Sequence, residues 1–148
     1  MYLTTTIENR RDTMSTCIWT EFIGKTITNI KKAHSDELHF EFNDGSNLKM
    51  FHEQDCCEEV YIEDIIGDLE VLYNSPITMF EQTSKYGTVK SWGDTATWTF
   101  YKIATVKGYV TLRWLGTSNG YYSEKVNFEY FDGEETWSDF SLDCEEVD

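Results

Sequence analysis

The clearest pattern along the chain is an alternation. Leu38, Phe40 and Phe42 are apolar, His39 and Glu41 between them are polar, and Leu48 and Met50 resume the beat after Asn43-Asp44-Gly45-Ser46. A period of two puts one set of side chains on a single face of a strand, and an Asn/Asp/Gly/Ser cluster between two such runs supplies hairpin turn chemistry. A β-hairpin is therefore predicted over residues 38–50. Carrying the parity onward puts His52 on the buried side at the strand's end, with the run Asp55-Cys56-Cys57-Glu58 directly beyond it.

Around this hairpin the pattern predicts further elements. The stretch IWTEFIGK (residues 18–25) reads as a short helix closed at Gly24, followed by a strand over about residues 25–34. Ile65, Ile66, Leu69 and Leu72 or Tyr73 fall on one helical stripe before Asn74-Ser75-Pro76, which predicts a helix over 63–73 tightened at Gly67. A strand over 77–82 should follow, then a polar loop over 83–94 exposing Tyr86 and Trp92. Runs at 96–105, 108–116 and 121–131 read as three strands of an antiparallel meander. The expected fold class is α+β, mainly β: a hairpin plus a three-strand meander, with one central helix. With one proline and no repeat or low-complexity linker, the chain divides into an N-terminal extension (1–15), a single domain (16–131) and an acidic tail (132–148).

Parity sorts the meander into two faces. Trp98, Phe100, Val110, Leu112, Trp114, Val126 and Phe128 are assigned to a core. The opposite face then carries Thr99, Tyr101, Thr111, Arg113, Ser123, Lys125 and Asn127, with Tyr109 near one end. Only twelve residues are Lys or Arg, so Arg113 and Lys125 beside Tyr101 and Tyr109 define a small basic, aromatic surface. Such a surface suits a nucleotide-like anion, because rings stack a base while arginine forks onto phosphate. The loop Ser118-Asn119-Gly120 with Tyr121 and Tyr122 reads either as a hairpin turn or as backbone and side-chain donors holding a ligand against the tyrosines. The plain alternative for the face is solvent exposure, with Arg113 paired to Glu124 or Glu129.

Charge changes the picture of partners. The formal net charge is −15, which argues against direct nucleic-acid binding and against attachment to anionic lipid. The acidity is segmental: residues 52–70 hold eight carboxylates and no Lys or Arg, and residues 132–148 hold eight more. Such blocks suit a basic protein groove that ordinarily takes phosphates. At 148 residues with 40% hydrophobic and 16% aromatic content, the chain has enough apolar surface to fold as a single domain and is far from the composition of a disordered one.

The cysteines at 17, 56, 57 and 144 show no CxxC spacing. With no signal peptide or spanning apolar run, a reduced, cytoplasmic chain is expected. His52, Asp55, Cys56 and Cys57 are a weak candidate metal set, because neighbours on a strand point to opposite faces and two adjacent thiols reach one ion only from an irregular loop. A Cys–His nucleophilic pair would draw on Cys56 or Cys57 with His34, His39 or His52. No P-loop, GxSxG, HExxH or dinucleotide fingerprint is present. The expectation is a binding protein without a cofactor.

FHEQDCCEEVYIEDIIGDLE, then TWTFYKIATVKGYVTLRW, then SNGYYSEKVNFE together resemble a family of small uncharacterised bacteriophage and prophage proteins, over Phe22 to Glu129. The resemblance implies a phage-encoded protein acting against a host defence pathway in the host cytoplasm. Three mechanisms fit that expectation. The chain sequesters a nucleotide-derived immune signal at Tyr101, Arg113, the SNGYY loop and His52, or it is an acidic inhibitor seated in the basic groove of a host defence protein such as a CRISPR nuclease or restriction enzyme. The third is a metal- or thiol-dependent enzyme. Trp92, Trp137 and Phe140 are the aromatics that would support a homo-oligomer.

Overall fold

The computed structural model describes residues 5–6, 15–89, 94–133, 138–139 and 145–147. Among them the strands run β1 Thr5–Thr6, β2 Ser15–Ile18, β3 Ile27–Ala33, β4 Glu37–Phe42, β5 Asn47–Phe51, β6 Glu59–Ile66, β7 Met79–Val89, β8 Thr95–Thr105, β9 Gly108–Ser118, β10 Asn127–Phe131, β11 Ser138–Asp139 and β12 Glu145–Val147. One 3-10 turn, Leu69–Leu72, stands between β6 and β7. The strands build two antiparallel sheets. The first has the order β12-β2-β7-β8-β9-β6, with β1 also paired to β7, and the second has the order β11-β10-β5-β4-β3.

The sheets share one core. Leu38, Phe40, Leu48 and Met50 from the second sheet are buried with Phe80, Ile103, Val110, Leu112 and Trp114 from the first. Trp19, just after β2, stacks on Phe80 with ring centroids 5.0 Å apart and meets Phe128 of β10 at 4.4 Å. Aromatic contact between the layers adds to area burial and fixes how they sit on one another.

The predicted hairpin is present as β4 and β5, with Leu38 opposite Met50 and Phe40 opposite Leu48. Asp44 Oδ1 accepts from Ser46 N at 2.9 Å, and Gly45 takes a φ of +88°, as the tight turn requires. The strand before it is β3, close to its expected limits. His52 lies where the parity put it, its side chain 3% exposed.

Other expectations are corrected. No α-helix occurs among the described residues, and the fold is mainly β. Residues 18–25 continue β2 into turns, although Gly24 has the left-handed φ (+93°) expected of it. The predicted central helix is strand β6 plus the 3-10 turn, with Gly67 at φ +112° between them. The region 83–94 is in large part strand, since β7 runs to Val89. Tyr86 is exposed as expected, while Trp92, Trp137 and Phe140 lie outside the described residues. The meander is β7-β8-β9, because β10 leaves for the other sheet and pairs with β5.

Candidate ligand-binding site

The two sheets differ in strand length, and that difference makes a site. β7, β8 and β9 have eleven residues each, while β3, β4, β5 and β10 have five to seven. At about 3.3 Å per residue the long strands span roughly 36 Å and the short ones roughly 17–23 Å. The short sheet therefore covers only part of the long sheet's inner face. Composition follows this limit: on β7 the inner positions pass from Phe80 to Gln82, Ser84 and Tyr86, and on β8 from Ile103 and Tyr101 to Thr99, Thr97 and Thr95.

Residues 119–126 cross from β9 to β10 over the uncovered end. Gly116 permits this crossing, since a Cβ there would stand 2.6 Å from the backbone oxygen of Glu124. The result is a recess of about 400 Å³ with Tyr101, Thr99 and Gln82 towards the core and Tyr122, Glu124 and Lys125 on the crossing segment. The volume lies within the range of small-molecule sites.

Hydroxyls hold Glu124 in place. Thr97 Oγ1 donates to Oε1 at 2.7 Å, and Thr95 Oγ1 and Ser118 Oγ both donate to Oε2 at 2.5 Å. The ring of Tyr101 is fixed by Trp19, Phe80 and Phe128, at centroid distances of 5.8, 6.5 and 5.7 Å. Burial pushes its phenol well above the ordinary tyrosine value, so it is a neutral O–H group throughout the physiological range. Lys125 makes no ion pair among the described residues.

A second device secures the crossing segment from below. The side chain of Glu58 is fully buried and accepts from His52 Nε2 at 2.7 Å, Asp55 N at 2.8 Å and Cys56 N at 2.9 Å. The His52 bond, followed by those backbone donors, lowers its carboxyl to about 2 against burial acting the other way. His52 Nδ1 donates to the carbonyl oxygen of Lys125 at 2.7 Å, and Glu53 N donates to Asn127 Oδ1 at 2.9 Å. The loop 52–58 is thereby tied to the segment that roofs the recess.

The predicted site residues divide between the two faces of the long sheet. Tyr101, Tyr122 and Lys125 meet in the recess. Tyr101 reaches it because β8 has the opposite parity to the one expected: Thr99 and Tyr101 point inward, and Trp98 and Phe100 point outward. Arg113 and Tyr109 lie on the outer face. The Arg113 guanidinium is engaged by Glu63 (2.9 Å) and Asp64 (3.7 Å) rather than by Glu124 or Glu129, and Tyr109 lies under Lys102 at 4.4 Å. Ser118 is buried against Glu124, Asn119 Oδ1 accepts from Tyr121 N at 3.0 Å, and Tyr121 is largely exposed. The signal available for the residues missed was the Thr-x-Thr-x-Thr alternation at 95, 97 and 99.

The candidate metal set is not assembled. Both ring nitrogens of His52 are bonded within the protein, and Cys56 and Cys57 are joined to each other as a disulfide. Cys17 is disulfide-bonded as well, so the expected reduced thiols are not found. Among the described residues no group of three His, Cys, Asp or Glu side chains is placed to hold a metal ion. No helix there is long and apolar enough to cross a membrane.

Fold and recess together define a two-sheet antiparallel β protein with a polar, aromatic opening at the uncovered end of its longer sheet. The chain belongs to a family described as a domain of unknown function, DUF7448, whose model matches residues 20–128. That span includes the strands and the crossing segment that form the recess. Neither the curated proteins nor the solved structures gave a match.

Proposed function

We propose that this is a non-enzymatic binding protein that holds a small nucleotide-like ligand in the recess, and that it acts by sequestration. The observation supporting this most directly is the convergence of Tyr101, Tyr122 and Lys125 on one opening of about 400 Å³. Tyrosine rings give a heterocycle a surface to pack on, hydroxyls meet its polar edge, and Lys125 meets an anionic group. Within the phage context suggested by the sequence motifs, the ligand is a nucleotide-derived signal of host defence.

Native mass spectrometry of the full chain after incubation with cyclic and ADP-ribose-derived nucleotides tests this reading. The expected result is a bound nucleotide of unchanged mass, with retention reduced by Lys125→Ala and Tyr122→Ala and unaffected by Arg113→Ala. A ligand returned chemically altered would show turnover and overturn sequestration. Retention abolished by Arg113→Ala but not by Lys125→Ala would move the site to the outer face.

A further inference from the structure

The recess is nearly balanced in charge. Among the described residues that line it, Lys125 is the one cationic residue and Glu124 the one acidic residue. Glu124 takes three hydroxyl donors. Around this opening lies a chain with a net charge of −15. A ligand with a single negative charge finds Lys125, whereas each further charge finds no second cation among the described residues of the recess and enters an opposing field.

The floor of the recess supplies the other half of the argument. Tyr101 is 1% exposed and Thr99 is 4% exposed, yet both line the recess, and neither hydroxyl has a hydrogen-bond partner among the described residues. Among the described residues, the buried polar atoms without a partner are the indole Nε1 of Trp19 and Trp114, so the Tyr101 and Thr99 hydroxyls are open to the recess and free to bond a molecule held there. A floor of neutral hydroxyls reads neutral donors and acceptors, such as those on a ribose or the edge of a base.

We infer that the ligand is a nucleoside carrying no more than one negative charge, of the class of nucleoside 3′,5′-cyclic monophosphates. Its phosphodiester lies at Lys125, and its sugar or base edge bonds to Tyr101 Oη and Thr99 Oγ1. This inference rests on the reading of the recess as a nucleotide site, and it assigns Tyr101 as a specificity-determining contact rather than a packing residue alone.

Isothermal titration of the full chain with the adenosine and guanosine series provides the test, each as nucleoside, 3′,5′-cyclic monophosphate, 5′-monophosphate and 5′-triphosphate. The cyclic monophosphate of one series should bind most tightly, with affinity at least tenfold lower for its triphosphate. Tyr101→Phe keeps the ring in the core and removes only the hydroxyl. It should weaken cyclic monophosphate binding about 3- to 10-fold, the loss expected for one neutral hydrogen bond, without lowering the thermal midpoint. Affinity that rises with ligand charge, or is unchanged by Tyr101→Phe, overturns this inference while leaving a nucleotide site in place. No binding by either series at any charge overturns the nucleotide reading itself.

Discussion

At the scale of single residues, Glu58 is one of two carboxylates that shape how the molecule responds to acid. Its carboxyl ionises at about 2, against an ordinary 4.5, chiefly because His52 donates to it. Between those values the unfolded chain takes up a proton at this position and the folded chain does not. Stability from this group is therefore fully present above about pH 4.5 and is lost as pH falls towards 2. Asp44, also lowered, by its bonds to Lys25 and Ser46, adds a slope of the same sign. The melting temperature should fall between pH 5 and pH 3 at constant ionic strength. Glu58→Gln should flatten part of that fall, with the Asp44 share remaining. A slope identical in wild type and Glu58→Gln, followed by circular dichroism, would mean that the His52–Glu58 clamp does not form in solution.

At the scale of elements, Gly116 is where β9 and the crossing segment approach one another. An alanine Cβ there would lie 2.6 Å from the Glu124 backbone oxygen and 2.8 Å from the Glu124 Cβ. The obstacle is backbone, so the segment must move. Gly116→Ala should cost about 1–3 kcal/mol of stability in urea denaturation, as overpacking does, and should weaken any ligand that touches Tyr122 or Lys125. An unchanged midpoint would show that the segment is free to shift. The same scale explains what could be read from the sequence. The β4–β5 hairpin was legible because alternation and turn chemistry agree there. β6 was not, because a register shift between Ile62 and Asp64 puts Ile62 and then Ile65 on the inner face. A bulge thus turned a spacing of two into a spacing of three, which with Leu69 and Leu72 of the 3-10 turn imitates a helix. In β8 the large residues Trp98 and Phe100 suggested the core face, whereas Thr95, Thr97 and Thr99 lie inward because the short sheet does not reach them. Parity failed where the fold leaves its inner face polar, which is also where the candidate site lies. Nor does a hydrophobic pattern say which sheet a strand joins, and β10 was misplaced for that reason.

At the scale of the whole molecule, the long sheet separates two environments. Its outer face has Arg113 neutralised by Glu63 and Asp64, while its inner recess has Lys125, without an ion pair among the described residues, beside the Glu124 carboxylate. With the local pair nearly cancelling, the field that an approaching anion meets is set by the net charge of −15. For a sphere of about 19 Å radius, the scale expected from chain length, that charge repels a monoanion by about 1.7 kcal/mol at about 20 mM salt and about 1.1 kcal/mol at about 100 mM. Binding of a cyclic monophosphate should therefore strengthen about threefold as salt is raised over that range, and binding of the uncharged nucleoside should not change. This runs opposite to the behaviour of an acidic inhibitor in a basic groove, whose affinity must fall with salt as its carboxylates lose their attraction. Titrations of the same protein with both ligands at the two salt concentrations separate the mechanisms. Anion affinity that rises with salt fits a recess read by hydroxyls within a repelling field. Anion affinity that falls would place a second cation at the site and remove the charge argument for a singly charged ligand.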